Sequence, residues 1–374
     1  MAEAPPLDEI ARVAPMLRGI LAEKTGNEDQ PFRPAILQWL SGKKRFSRAI
    51  QLESPCGGEN DEGLRSRMAS SLHNFRTKHK AGSEIIFMPG VGTFQISKPK
   101  KIAGQDARLV GRTAIVTGAA GAIGYGICKG LLEGGCHVAI TDLPGERSEK
   151  FVAEFGKQNK ERVIGVPMDV TDAASVANAF ATVSATWGGV DIVVVNAGLA
   201  LACLLVEIDL EAFRRLERVN VEGTLLVLAE AGRHFARQNI GGDIILISTK
   251  NVFAPGAGFG AYSATKAAAH QLARIASLEF APLGVRVNMV APDAVFSGGN
   301  HRSGLWAEVG PGRMKARGLD EKGLEEFYRN RNLLKARVTA EHVANAILFF
   351  ATRQTPTTGA CIPVDGGLPD ATPR

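Results

Sequence analysis

A chain of 374 residues that is 45% hydrophobic and 22% charged is long enough for two domains and apolar enough for a globular core, which excludes a disordered polypeptide. Its apolar runs, such as 244–247, are too short to span a bilayer, so we expect no membrane partner. The net charge of +6 lies mostly in residues 1–108 and is too dilute to indicate a nucleic-acid partner.

The start of the chain and its cysteines favour a cytoplasmic protein. Pro5, Pro6, Asp8 and Glu9 stand where a secretory signal would need an apolar stretch. The five cysteines are scattered without a C-x-x-C pair, which is typical of small buried residues in a reducing compartment. The seven histidines have no metal-binding spacing, so we expect no metal.

Residues 1–108 carry no motif with catalytic chemistry. The spacing of apolar residues predicts a helix over 7–24, and 34–40 is compatible with a short helix. The segment 54–63, rich in glycine, serine and acidic residues, predicts an exposed loop. Two strands are predicted, over 84–88 and 93–96. We expect either a small α+β appendage without an active site or an extended arm, serving packing or assembly.

From about residue 109 the pattern alternates strand and helix, which predicts a parallel sheet with helices on both faces. The first predicted strand, 113–117, runs into Gly118-Ala-Ala-Gly121-Ala-Ile123-Gly124 and a helix over 122–133. Glycines at such a turn let a pyrophosphate approach the backbone at a helix N-terminus.

An acidic residue follows the second predicted strand, 137–141. Asp142 can accept hydrogen bonds from an adenosine ribose, and its charge would repel a 2′-phosphate. Strand, glycine turn, helix, strand and acid in this order predict a dinucleotide site that prefers NAD.

The next strands also end in polar or turn residues. They are 163–168, ending at Asp169 and Val170; 191–195, running into Asn196-Ala197-Gly198; and 244–247, delivering Ser248 and Thr249. We expect Asp169 to meet the adenine and the turn at 196–198 to contact the cofactor through its backbone. A sixth strand, 285–290, precedes Pro292-Asp293-Ala294-Val295. A long helix over 210–236 carries Asn220, which lowers helix propensity and suggests another purpose.

Tyr262 and Lys266 lie four residues apart on a predicted helix and therefore project from the same face. An ammonium beside a phenol favours the phenolate and lowers a pKa that is ordinarily about 10. Such a pair can exchange a proton near neutral pH, as the reduction of a carbonyl or the oxidation of an alcohol requires.

Residues 109–368 resemble a short-chain dehydrogenase/reductase. The motifs TGAAGAIG, DVTD, VNAG, VN at 219–220, YSATK and VDGG at 364–367 stand in the order of that family. The resemblance implies a Rossmann-type doubly wound α/β domain, NAD as cofactor, and a homotetramer or homodimer. It further implies that the cofactor contacts Gly118, Gly121, Ile123, Gly124, Asp142, Asp169, Val170, Asn196, Ala197, Gly198, Tyr262, Lys266, Pro292 and Val295.

The same resemblance assigns catalytic roles. Tyr262 would be the acid/base, Lys266 would tune it and hold the nicotinamide ribose, and Asn220 would support a water relay. The family's serine falls on Thr249, whose hydroxyl would hold the substrate oxygen. Ser248 is the alternative, because neighbours on a strand face opposite ways.

Two other positions depart from the family pattern. Ala122 replaces the middle glycine of the nucleotide loop, and its methyl group would tighten the turn. Pro292-Asp293 replaces a proline-glycine, and Phe296 replaces a threonine, so cofactor contacts from this loop are expected mainly through the backbone at Val295.

Some stretches resemble a narrower group. STKNVFAPG, NMVAPDAVF and the ending TTGACIPVDGGLPDATPR are similar to the dehydrogenase half of bifunctional rhamnulose-1-phosphate aldolase/alcohol dehydrogenases. Residues 31–100 loosely resemble the end of the aldolase half, without the part expected to carry its metal-binding histidines. This resemblance implies a small lactaldehyde-like substrate and a non-catalytic appendage.

The motifs together indicate an oxidoreductase that transfers hydride between NAD and a small hydroxyaldehyde, sugar-derived alcohol or ketone. The alternative is a dinucleotide-binding sensor or assembly subunit with weak or no catalysis, which Thr249 and the Pro292-Asp293 loop would favour. The segment 297–331 is expected to cover the site. Its basic residues suit either an anionic or polyhydroxylated substrate or a solvated lid helix.

Overall fold

The computed structural model describes residues 7–40, 49–78, 84–99 and 108–371; the rest of the predicted appendage lies outside the described residues. The N-terminal elements are α1 (Leu7–Leu21), β1 (Glu23–Lys24), β2 (Phe32–Arg33), β3 (Ile36–Leu40), β4 (Ile50–Gln51), α2 (Asp61–Lys78), β5 (Ile85–Met88) and β6 (Gly92–Ser97). Strands β3 to β6 form a sheet in the order β3-β6-β5-β4, in which β4 and β5 are parallel and the other pairs antiparallel.

The N-terminal predictions need three corrections. The segment 34–40 is not a helix, because Ile36–Leu40 pairs along its whole length with β6. A short apolar run fits either structure, and only the partner strand decides between them. The predicted helix 7–24 ends at Leu21, and Glu23–Lys24 pairs with β2. The predicted loop 54–63 ends at Asn60, because α2 begins at Asp61.

A seven-stranded parallel sheet forms the larger part of the fold. Its elements and those that flank it are β7 (Thr113–Val116), α3 (Ala122–Glu133), β8 (His137–Asp142), α4 (Glu146–Gly156), β9 (Val163–Pro167), α5 (Ala173–Trp187), β10 (Ile192–Val195), α6 (Leu210–Glu217), α7 (Gly223–Gln238), β11 (Gly242–Ile247), α8 (Gly260–Glu279), β12 (Val285–Pro292), β13 (Ser297–Gly298), β14 (His301–Arg302), α9 (Gly304–Arg317), α10 (Glu321–Asn330), α11 (Ala340–Ala351) and β15 (Cys361–Val364).

The sheet has the strand order β15-β12-β11-β10-β7-β8-β9, and every neighbouring pair is parallel. Strands β7, β10 and β11 are buried along their whole length, as expected for strands covered on both faces. Helices α3, α4 and α11 pack on one face, and α5, α7 and α8 pack on the other. This is the predicted α/β Rossmann-type doubly wound fold.

One predicted helix is interrupted. The segment predicted as a single helix over 210–236 consists of α6, a π-helical turn at Arg218–Glu222, and α7. Asn220 lies in the middle of this turn and is buried. A π turn accommodates one extra residue inside a helix and is frequent at functional sites.

A buried ion pair joins α1 to the parallel sheet. The side chain of Arg18 is fully buried, and one of its Nη atoms lies 2.6 Å from Oδ2 of Asp191, the residue that precedes β10. Arg18 also donates to the carbonyl oxygens of Trp187 at 2.9 Å and Gly111 at 3.1 Å. Because Asp191 and Gly111 precede strands, this contact lies at the amino ends of the sheet. In the part of the chain that the structure describes, no helix combines the length and apolarity needed to cross a membrane.

Candidate active site

A cavity of about 540 Å³ lies at the carboxyl ends of the parallel strands. The strand order reverses between β7 and β10, and open α/β sheets bind their ligands at such a reversal. The volume is typical of a small-molecule site. The residues that the motifs assign to cofactor or substrate line it, with the exception of Asn220: Gly118, Gly121, Ile123, Gly124, Asp142, Asp169, Val170, Asn196, Ala197, Gly198, Thr249, Tyr262, Lys266, Pro292 and Val295.

The turn between β7 and α3 suits a pyrophosphate. Gly118 has a φ of 57°, and a Cβ at this position would lie 2.6 Å from Cα of Ala197, so a side chain is excluded. Gly121 is the N-cap of α3 and places no side chain over the first N–H groups of the helix. These donors and the positive end of the helix dipole therefore stay available to an anion. Ala122 is the first residue of α3 and is buried without interrupting the helix.

Asp142 is the last residue of β8 and holds the nucleotide loop in place. Its Oδ2 accepts a hydrogen bond of 2.8 Å from the backbone N–H of Ala120, and its Oδ1 accepts one of 2.8 Å from Leu143. The carboxylate is half-buried in the cavity wall. Each oxygen retains a lone pair that can accept from a ribose hydroxyl.

Asn220 lies behind the cavity wall. Its Oδ1 accepts from the backbone N–H of Leu199 at 2.9 Å, and its Nδ2 donates to the carbonyl of Leu199 at 3.0 Å and to Oγ1 of Thr265 at 3.0 Å. The side chain thus ties the segment after β10 to α8. The water-relay role remains a prediction.

Tyr262 and Lys266 lie one turn apart at the start of α8, and both are buried. Thr249 follows β11 and lines the cavity together with Tyr262, close enough for its side chain to influence the phenol. The threonine oxygen accepts from the backbone N–H of Asn251 at 3.3 Å, which fixes its position. Two hydroxyl groups therefore converge at the cavity, with a lysine behind them, and a substrate oxygen can contact both.

Ser248 points its hydroxyl elsewhere. Its Oγ lies 2.9 Å from Nδ1 of His270, which belongs to α8. Burial, followed by the positive charge of Arg274, lowers the pKa of His270 below its ordinary value, so the imidazole is neutral at pH 7. Of the two neighbouring hydroxyl residues, Thr249 is the one whose side chain influences the pKa of Tyr262.

Burial dominates the protonation of the tyrosine–lysine pair. It raises the pKa of Tyr262 to about 12, although the nearby side chain of Thr249 opposes this effect. It also lowers the pKa of Lys266 to about 8. The ammonium donates a hydrogen bond of 2.8 Å to the carbonyl oxygen of Ile247. Lys266 is not among the groups that lower the pKa of Tyr262 in this structure, and its tuning role remains a prediction.

The segment predicted to cover the site lies over one side of the cavity. It contains β13, β14, α9 and α10, and Trp306 and Tyr328 line the cavity with rings 4.9 Å apart. Asp293, in the loop that departs from the family pattern, forms an ion pair with Arg331 just after α10. His301 points away from the cavity and lies 2.8 Å from Glu154. Within the described ranges, no group of three or more His, Cys, Asp or Glu could hold a metal ion.

The sequence model of the short chain dehydrogenases matches residues 112–308, more than half of the chain. The chain belongs to the short chain dehydrogenase family. It is an oxidoreductase that acts on an alcohol or carbonyl group of a small molecule and uses a nicotinamide cofactor, as members of this family do.

Three relatives of this dehydrogenase illustrate the match. It is 38% identical to the uncharacterized oxidoreductase YuxG of Bacillus subtilis over 73% of this chain and 40% of that protein's length. It is 34% identical to the mitochondrial (-)-isopiperitenol/(-)-carveol dehydrogenase of Mentha piperita over 70% of this chain and 94% of that enzyme. The structure of the sorbitol-6-phosphate 2-dehydrogenase SrlD of Erwinia amylovora superposes with a TM-score of 0.63, at 28% identity, over 68% of this chain and 98% of SrlD.

Sequence reasoning missed four cations that line the cavity of the dehydrogenase: Arg147, Lys250, Arg313 and Arg331. Lys250 directly follows Thr249, so the substrate contact predicted for Thr249 could have drawn attention to the next residue. Arg313 and Arg331 belong to the covering segment and share no local spacing. Arg313 and Arg331 come together at the cavity wall only in the folded chain.

Proposed function

We propose that this dehydrogenase uses NAD and transfers hydride between it and a small hydroxyaldehyde, sugar-derived alcohol or ketone. The observation that carries the proposal is that Thr249, Tyr262 and Lys266 all line the cavity, with Lys266 one helical turn from Tyr262. A nicotinamide cofactor supplies or accepts the hydride at the substrate carbon when it is bound.

The chain's own residues handle the proton and the oxygen. In alcohol oxidation, Tyr262 removes the proton from the substrate hydroxyl, and in carbonyl reduction it returns that proton. Thr249 donates to or accepts from the same oxygen and fixes its position. Lys266 contributes a positive charge beside the nicotinamide ribose. Asn220 holds the segment after β10 against α8, so that the wall around the reacting atoms keeps its shape.

The preference for NAD rests on Asp142. Its carboxylate stands at the end of β8, where the adenosine ribose of a dinucleotide lies in this type of fold. The 2′-phosphate of NADP would bring a second negative charge to a half-buried carboxylate, which is unfavourable.

One relative supports a sugar-derived substrate, and a second is named for alcohols of another kind. SrlD is named for sorbitol 6-phosphate, and the Mentha enzyme for isopiperitenol and carveol. A lactaldehyde-like substrate follows from the resemblance to the dehydrogenase half of rhamnulose-1-phosphate aldolase/alcohol dehydrogenases. The matched segment covers 40% of the longer Bacillus subtilis relative, so what the whole protein does remains a proposal. The alternative of a sensor without catalysis is not proposed, because the chain belongs to a family of oxidoreductases.

We also propose that residues 1–108 form a packing element of a cytoplasmic homotetramer or homodimer and contain no active site. The ion pair between Arg18 and Asp191 supports this role, because it joins the segment to the sheet far from the cavity. The scattered cysteines favour the reducing compartment.

A turnover assay tests the proposed function. The purified protein is incubated with NAD and a panel of short hydroxyaldehydes and sugar alcohols, and NADH formation is followed by absorbance. We expect turnover with at least one compound and a loss of roughly a hundredfold or more in Tyr262→Phe, since the proton-transfer group is removed. NAD binding, measured by calorimetry, should change little in this variant. Equal turnover in Tyr262→Phe would rule out the assigned role.

A further inference from the structure

The wall of the cavity beside Thr249 carries a group of positive charges. Lys250 begins the short helical turn Lys250–Val252, and its Nζ donates a hydrogen bond of 3.0 Å to the carbonyl of Ala254. Arg313, in α9, is within 3.5 Å of the carbonyl of Ala257. The two cations thus flank one short loop, between β11 and α8, and both line the cavity.

The carboxylates of the cavity do not neutralise this group. Asp293 is committed to Arg331, whose guanidinium also stacks on the ring of Tyr328 at 4.1 Å. Glu308 also lines the cavity, but it is exposed to solvent and forms no ion pair with Lys250 or Arg313 among the described residues. Among the described residues, neither Lys250 nor Arg313 forms an ion pair with a carboxylate. Two cations therefore face the cavity without a direct counter-ion.

The environment of both cations is unfavourable without an anion. Burial lowers the pKa of Lys250, and the positive charges of Arg331 and Arg313 add to this effect, while Asp293 and Asp370 oppose it. The Nε of Arg313 is buried and has no hydrogen-bond partner among the described residues. The crowded ammonium of Lys250 would be stabilised by an incoming anion.

The position of Lys250 and Arg313 relative to Tyr262 and Thr249 indicates the size of the ligand. The guanidinium of Arg313 lies 4.8 Å from the centroid of the Phe259 ring, and this ring lies 6.2 Å from that of Tyr262. Lys250 is the neighbour of Thr249 in the chain. An anionic group held here would therefore stand within the length of a short sugar chain from the oxygen that Tyr262 and Thr249 contact.

We infer that the substrate carries an acidic group, a carboxylate or a phosphate, at the end remote from the reacting carbon, and that Lys250 and Arg313 bind it. This inference rests on the proposed function and narrows its substrate class to hydroxy acids, sugar acids or sugar phosphates. Arg331 stays with Asp293 and shapes the aromatic wall.

Three compounds with the same six-carbon chain test it: sorbitol, gluconate and sorbitol 6-phosphate. With NAD, we expect kcat/KM for at least one of the two anions to exceed that for sorbitol by at least tenfold, and the preferred anion distinguishes carboxylate from phosphate. Lys250→Met and Arg313→Met should each reduce the anion-to-sorbitol ratio by about tenfold or more, mainly through KM. Lys250→Arg should restore much of the ratio.

Lys322→Met is the matched control, because it removes one positive charge from an exposed position of α10 that does not line the cavity. It should leave the ratio unchanged. A ratio near one in the unaltered protein, or an unchanged ratio in Lys250→Met, would overturn the inference.

Gluconate and inorganic phosphate are also titrated calorimetrically into the NAD-loaded protein. Absence of turnover with all three compounds would count against the proposed function alone, whereas absence of binding by both anions would overturn the anion site.

Discussion

The Nζ of Lys266 donates a hydrogen bond of 2.8 Å to the carbonyl oxygen of Ile247, the last residue of β11. The ammonium is therefore fixed to the sheet, although it shares a helix face with Tyr262. Its charge does not offset the burial of the phenol, whose pKa is raised to about 12. The balance between burial and charge at this pair decides how the reaction depends on pH.

We predict that alcohol oxidation becomes faster as the pH rises from 6 to about 8 and levels off above it, because Lys266, whose pKa is lowered to about 8, then loses its charge. Oxidation needs the deprotonated form of Tyr262, and a raised pKa leaves little of this form at pH 7. Carbonyl reduction needs the protonated form and should not gain over the same range. The measurement is kcat/KM in both directions at saturating cofactor. An oxidation rate that is already constant from pH 6 upward would contradict the prediction.

Thr249 and Ser248 should respond differently to substitution. Thr249→Ser keeps the hydroxyl and should retain most of the activity, whereas Thr249→Val should lower kcat/KM by roughly a hundredfold because the substrate oxygen loses a partner. Ser248→Ala removes a contact with His270 and should have a smaller effect. Steady-state kinetics of the three variants decide the assignment. If Ser248→Ala is the most damaging change, the roles of the neighbours are reversed.

Asp142 should make the protein prefer NAD to NADP by at least tenfold in Kd, which corresponds to about 1.4 kcal/mol. Calorimetric titration with both dinucleotides measures this ratio. Asp142→Asn keeps the size of the side chain and an oxygen that can accept from Ala120, but removes the charge. It should bring the two affinities closer together. Binding of NADP that equals that of NAD in the unaltered protein would refute the assignment.

The ion pair between Arg18 and Asp191 should contribute strongly to stability. Arg18→Met leaves a buried carboxylate without its main counter-charge and should lower the free energy of unfolding by roughly 3–5 kcal/mol. Lys150→Met removes one partner of an exposed pair with Glu146 and should change stability by about 0.5 kcal/mol or less. Denaturant unfolding measures both. Similar values for the two variants would show that the N-terminal contact is weak.

The same pair has a predictable pH dependence. Burial tends to raise the pKa of Asp191, but the charges of Arg18 and Arg112 outweigh burial and hold the pKa below its ordinary value. A depressed folded-state pKa stabilises the protein above the unfolded value, and this contribution is lost as the pH falls through the folded value. Unfolding measured between pH 7 and pH 2 should show this loss at the acid end, and to a smaller extent in Arg18→Met.

The sequence predicts the sheet better than it predicts the N-terminal elements. Helix α3 begins and ends where its glycine turn and apolar spacing place it, and β7 to β12 were each expected within a few residues. These strands are continuous apolar runs followed by turns, so the signal is local. The segment 34–40 was misassigned because β3 depends on its pairing with β6, which lies far away in the chain.

The candidate site, too, is predicted from the sequence only where its residues belong to local motifs. The residues of the glycine turn, Asp142 and the pair Tyr262–Lys266 belong to short motifs, and motifs can be read directly. Lys250 and Arg313 belong to none, and their common wall is created by the packing of α9 over the loop before α8. The motif does not reveal that the pKa of Tyr262 is raised, because the burial that raises it depends on the surrounding tertiary structure.

The π turn at Arg218–Glu222 makes the number of residues in this part of the chain important. Removal of one residue from the turn would allow an uninterrupted α-helix, and everything before it would rotate by about 100° relative to α7. The side chain of Asn220 would then lose its hydrogen bonds with Leu199 and Thr265, even though no residue that forms them had been substituted. Single-residue insertions and deletions in this turn should therefore be tolerated less well than most substitutions there.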